Sequence, residues 1–153
     1  MYKLILFLLI NFGALAIGGL LMGSPATNEW YIAQNIAPWT PPGWVFGAAW
    51  FFIMACLSVF MFLVSKKYSF SEQAFFYSLF IVQVILNIAW NPVFFKYHFV
   101  LAGLIIIALL TIVVFLMFWW GTKNMGIKRL LILPYVVWLL IATSLNAYVL
   151  IKN

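Results

Sequence analysis

Residues 37–65 read APWTPPGWVFGAAWFFIMACLSVFMFLVS, and the two halves of that stretch pull in different directions. The first fourteen residues hold three tryptophans, three prolines and no charge. From Gly43 to Ser65 no charged side chain occurs at all. A helix needs about 20 apolar residues to cross a bilayer core about 30 Å thick, so 43–65 reads as a membrane span entered through a stiff aromatic loop. The rest of the chain agrees: of 153 residues 68% are hydrophobic and 7% charged, and mean hydropathy is +1.17. Soluble domains carry about 25% charged residues, so no soluble fold hides this much apolar surface.

Working outward, four further runs are long enough to cross, giving spans at about 4–23, 43–65, 73–95, 99–121 and 129–151. They are separated by SPATNEWYIAQNIAPWTP, SKKYSFSE, KYH and GTKNMGIKR. The fold class that follows is all-α, a single five-helix integral membrane domain of residues 1–153. Lys3 before the first run and GSPA after it resemble a signal peptide, but the run exceeds the usual 7–15 apolar residues of such a segment; it reads as an uncleaved span. Lys3, Lys66, Lys67, Lys123, Lys128 and Arg129 fall on one side, Lys96 and Lys152 on the other. Basic residues stay cytoplasmic, so the expectation is a multi-pass cell-membrane protein with its N-terminus inside and its C-terminus outside. The first connection, residues 24–42, then lies outside as a lid.

Composition also excludes functions. The net charge of +6 is spread singly or in pairs between apolar runs, with no basic face for nucleic acid. Cys56 is the only cysteine, so neither an internal disulfide nor a thiolate metal cluster is expected. One histidine and two carboxylates leave little for acid–base catalysis.

Polar side chains inside the spans fall in stripes. Gln83, Asn87 and Trp90 share one face of the third span, and Trp138, Ala142 and Asn146 one face of the fifth. Phe46, Trp50 and Met54 form a third stripe in the second. Interhelical amide bonds of about 0.6 kcal/mol each and plain aromatic packing account for any single stripe. Counted at 1.5 Å per residue, however, Trp50, Asn87 and Ala142 all come about 12–15 Å in from the outer ends of their spans. That places a candidate cavity beneath the long loop. Indole is apolar over its faces and keeps one N–H donor, so it suits an interface or the wall of a planar ligand's pocket. Pro38, Pro41 and Pro42 stiffen the loop, and Pro42 is placed to open the second span. An aromatic belt alone accounts for Trp39 and Trp44, less well for Trp50.

These residues resemble the tryptophan-rich sensory protein (TspO/MBR) family, which includes the mitochondrial translocator protein or peripheral benzodiazepine receptor. The resemblance covers nearly the whole chain and rests on WY at 30–31, PWTPPGWVFGAAW at 38–50, LNIAWNPVFF at 86–95 and LPYVVWLLIATSLNAY at 133–148. Asn91 before Pro92 departs from members with a second proline there, which puts the local kink in question. The resemblance implies a five-helix bundle, a homodimer in the lipid bilayer, that binds a porphyrin such as protoporphyrin IX or haem as ligand, with no cofactor required. The ligand-binding set it implies is Tyr31, Trp39, Pro42, Phe46, Trp50, Gln83, Asn87, Trp90, Phe94, Trp138, Ala142 and Asn146. It further implies that Trp50 and Trp138 support light- and oxygen-dependent porphyrin breakdown. The function expected is thus tetrapyrrole sensing, transport or degradation.

The alternative is an uncoupled carrier or scaffold for hydrophobic ligands such as sterols, for which Leu145, Tyr148 and Lys152 fit a loose motif. Lys152 is equally an interfacial anchor. Proton-coupled transport lacks an intramembrane carboxylate, since Glu29 and Glu72 both lie outside the spans. His98, near the end of the fourth span, is either a haem ligand or an interfacial side chain. GLLMG at 19–23 and the Ala102–Gly103 pair suggest close helix packing, within the chain or between copies.

Overall fold

Hydrocarbon offers no water to backbone N–H and C=O groups, so a long apolar run closes its hydrogen bonds on itself as a helix. The computed structural model describes residues 2–22, 28–120 and 125–153. In chain order its helices are α1 (Tyr2–Met22), the single turn α2 (Glu29–Ile32), α3 (Gly43–Lys67), α4 (Ala74–Asn91), α5 (Val100–Trp120) and α6 (Leu133–Lys152). A π-helical turn, Pro92–Lys96, extends α4, and a 3₁₀ turn, Gly126–Leu131, leads into α6. Five of these helices are long and apolar enough to cross a membrane, and no strand occurs among the described residues. The all-α, five-span architecture is therefore present. Gly23, Ser24, Pro25 and Ala26 of the signal-like segment and Lys123 lie outside the described residues.

Two ends can be distinguished. Lys3, Lys66, Lys67, Lys128 and Arg129 stand at the basic end; Lys96, Lys152 and the first connection stand at the other, here the loop end. Around the bundle the order is α3, α1, α4, α5, α6, and the ring closes along a sparse seam between α6 and α3. That sparse seam matters below.

α1 shows why the order is stable. Its buried residues, Phe7, Asn11, Ala14 and Gly18, recur at intervals of four, three and four, a stripe that faces neighbouring helices. Phe7 meets Phe80 of α4 edge to face at 5.7 Å, and Asn11 donates to Ser58 Oγ of α3 at 2.8 Å. At Gly18 an added Cβ would stand 2.5 Å from Asn91 Nδ2, so a larger residue would push the Asn91 side chain aside. Gly19, in contrast, meets nothing within 4 Å. Gly103 is spent inside the chain: a Cβ there would lie 3.0 Å from the Phe94 ring. The outward faces carry Leu20, Phe51, Ile85 and Ile112, all exposed, as a lipid-facing surface requires.

The π turn follows from Pro92. Proline has no N–H to return to the preceding turn, and the ladder resumes with a wider ring, Tyr97 N–H reaching the Pro92 carbonyl at 2.9 Å. The extra residue per turn brings both Phe94 and Phe95 inward, although they are adjacent in sequence. π turns of this kind recur at functional sites. The chain then reverses into α5 through Tyr97–Phe99, with His98 at φ 58°, a left-handed conformation.

Candidate functional site

The first connection is built in two parts. Asn28 caps α2, its Oδ1 accepting from Tyr31 N–H at 3.0 Å, while its Nδ2 donates to the Phe95 carbonyl at 3.0 Å. That pins α2 to the π turn. Trp30 stacks on His98 with ring centroids 4.3 Å apart, and Tyr31 meets Phe95 edge to face at 5.3 Å. His98 is thus a stacking partner. Burial pushes the Tyr31 hydroxyl above the usual tyrosine range, keeping it a neutral donor.

The second part, residues 35–42, is a strap with one tight turn, Thr40 N–H donating to the Ala37 carbonyl at 2.9 Å. Its prolines postpone helix formation to Gly43, because each lacks an N–H and disfavours helix in the residue before it. Asn35 donates from N–H and Nδ2 to Asn153 Oδ1 at 2.9 and 3.1 Å. Trp39 Nε1 donates to Ser144 Oγ at 3.2 Å, and its ring meets Tyr148 at 5.4 Å. Further along, Phe46 meets Trp138 at 5.3 Å and Trp50 meets Tyr135 at 5.8 Å. These pairs fix one antiparallel register from Asn35–Asn153 to Trp50–Tyr135. The loop-end half of α6 is therefore covered by the strap, and α3 begins only opposite the middle of α6.

That register corrects the expected single layer. Trp50 stands against the first turn of α6, and Ala142 lies seven residues, or about 10 Å, nearer the loop end. The depth expected for Trp50 assumed that α3 starts at the membrane surface; the descending strap starts it deeper. The residues divide into two tiers.

In the basic-end tier Tyr135 is the hub. Its hydroxyl donates to Gln83 Oε1 at 3.1 Å and accepts from Asn87 Nδ2 at 2.8 Å, with Trp50 against its ring. All three polar side chains are buried. The loop-end tier surrounds a cavity of about 20 Å³. Tyr31, Phe46, Trp90 and Phe94 supply its aromatic wall, and Ala142 and Asn146 its α6 side. Phe95, Leu145 and Val149 complete it. Trp90 Nε1 donates to Asn146 Oδ1 at 3.3 Å, and Trp90 stacks on Phe94 at 5.9 Å. Trp138 does not face this cavity. It lines an open groove of about 400 Å³ between α3 and α6, and the Phe46–Trp138 pair separates the two spaces.

Of the residues singled out from sequence, Trp39 lies on the strap and Pro42 is exposed at the start of α3; neither borders the cavity. Leu145 points into the cavity, Tyr148 backs Trp39, and Lys152 is exposed, so these three do not form one surface. Tyr135, Phe95 and Val149 were missed. Tyr135 was detectable, since it lies one turn before Trp138 and a phenol within a span needs a partner. Phe95 was not, because only the π turn brings it inward. The site offers aromatic faces, three amide hydrogen bonds and no charged side chain among the residues described around it.

The TspO/MBR family profile matches residues 5–151. The chain is 30% identical over 140 residues to the tryptophan-rich protein TspO of Archaeoglobus fulgidus, covering 92% of this chain and 90% of that protein. It is 29% identical over 141 residues to the protein CrtK of Rhodobacter capsulatus, covering 90% and 86%. It is also 30% identical over 126 residues to the human translocator protein, covering 77% and 71%.

Proposed function

Since the chain belongs to the TspO/MBR family of membrane proteins, we propose that it is a membrane receptor for porphyrins, held between α3, α4 and α6 beneath the strap. The observation that carries this reading is the uncharged cavity walled by Tyr31, Phe46, Trp90 and Phe94, with the strap bound along α6 beside it. A macrocycle stacks on such rings, and its carboxylates remain at the loop end near Lys96 and Lys152.

The closed cavity has room for about one water. Binding therefore requires the strap to lift and the seam to part. The strap contacts to be broken are those of Asn35 with Lys152 and Asn153 and of Trp39 with Ser144 and Tyr148. Net hydrogen bonds of this kind contribute about 0.5–1.5 kcal/mol each, so opening costs a few kcal/mol, which stacking a macrocycle offsets.

The test is spectral titration of the purified protein with protoporphyrin IX, haem and cholesterol. The expected outcome is a saturable Soret shift with tryptophan quenching for the two porphyrins. Porphyrin spectra no different from those in empty detergent micelles would leave a scaffold as the better reading.

A further inference from the structure

We propose that the open groove between α3 and α6 is a binding site for an anionic phospholipid, one acyl chain lying in the groove and the phosphate held by Lys128 and Arg129. This does not depend on the porphyrin reading. The groove, about 400 Å³, falls within the roughly 300–1,000 Å³ of small-molecule sites. α6 and its lead-in supply Leu130, Leu133, Val137 and Ile141, and α3 supplies Ala49 and Ile53. From Leu130 to Ile141 the wall runs about 16 Å along the helix axis, the direction in which an acyl chain lies.

The charge is placed at one end only. Lys128 and Arg129 occupy the 3₁₀ turn directly before Leu130, and both are exposed. No aspartate or glutamate occurs anywhere in residues 121–153, and the only acid at the basic end, Glu72, accepts from Ser69 N–H and Oγ, both at 2.7 Å. The turn that carries both packs against α3, and the Arg129 guanidinium lies 5.8 Å from the Phe118 ring of α5. An uncharged groove with two exposed cations in the turn that leads into it matches a lipid with an apolar tail and a single negative head. Basic pockets between membrane helices recognise anionic headgroups by this arrangement. Whichever leaflet the basic end occupies, the match is the same.

The test reconstitutes the full chain in vesicles of equimolar phosphatidylcholine and phosphatidylglycerol, extracts it, and counts retained lipids by native mass spectrometry. Each basic residue near a bilayer surface favours an anionic lipid by roughly fivefold. Wild type should retain phosphatidylglycerol over phosphatidylcholine by about twentyfold, Lys128→Gln should lose about fivefold of that preference, and the double variant with Arg129→Gln should show none. Val137→Trp, on the exposed groove wall, should reduce retention of both lipids. Brominated acyl chains give a second readout: the quenching lost in Trp138→Phe should be greater for phosphatidylglycerol than for phosphatidylcholine. Equal retention of the two lipids by wild type would overturn the proposal. So would full retention by Val137→Trp, or dissociation of a dimer by that substitution, which would make the groove a contact between copies.

Discussion

Tyr135 is the single side chain on which most of the basic-end tier depends. It joins two amides on α4 to the ring of Trp50 on α3. Removing only its oxygen leaves Gln83 Oε1 and Asn87 Nδ2 without their shared partner in a dry interior, and an unsatisfied buried group costs about 1–3 kcal/mol. Tyr135→Phe should accordingly lower thermal stability in detergent by about 1–2 kcal/mol, the ring and its contact with Trp50 being retained. A melting curve unchanged by the substitution would mean that the amides find other partners. The same residue shows what a sequence can say at this scale. Gln83 and Asn87 stood out because amides are costly in a span; the Tyr135 hydroxyl carries the same signal more weakly, since its ring is accounted for by packing alone.

Among the elements, the strap and the π turn shape the site. Both come from prolines, yet their effects differ in how readable they are. That Pro38, Pro41 and Pro42 stiffen the loop is evident from φ restriction alone. That the loop then descends along α6, lowering the start of α3 by half a helix, depends on Asn35, Trp39 and Phe46 finding Asn153, Ser144 and Trp138, partners more than ninety residues away. Pro92 likewise announces a kink, while the inward rotation of both Phe94 and Phe95 needs the packing of Gly103 and α2 around them. If the strap is the barrier to entry, loosening it should act on the rate. Asn35→Ala combined with Asn153→Ala should speed porphyrin association several-fold in stopped-flow measurements, since the closed state is weakened and the cavity wall is untouched. An unchanged association rate would place the barrier elsewhere.

For the whole molecule, helix number and class were legible because long uncharged runs have one solution in a bilayer. The ring order was not, since it rests on contacts such as Gly18 with Asn91 and Asn11 with Ser58 that no spacing announces. The described residues put five cations at the basic end and two at the loop end. The positive-inside rule predicts that the basic end is cytoplasmic, so reporter fusions at residue 35 and at the C-terminus should both read external; a cytoplasmic C-terminus would contradict that prediction. The claim on which the rest depends is that a porphyrin occupies the seam beneath the strap, spanning the two tiers. It is tested most directly by Soret titration of Trp50→Ala beside Trp119→Ala, the latter an exposed indole near the basic end of α5. Loss of an aromatic stacking partner costs about 0.5–1.5 kcal/mol beyond area burial. The account predicts that Trp50→Ala weakens binding roughly tenfold and Trp119→Ala hardly at all; equal effects of the two substitutions would contradict it.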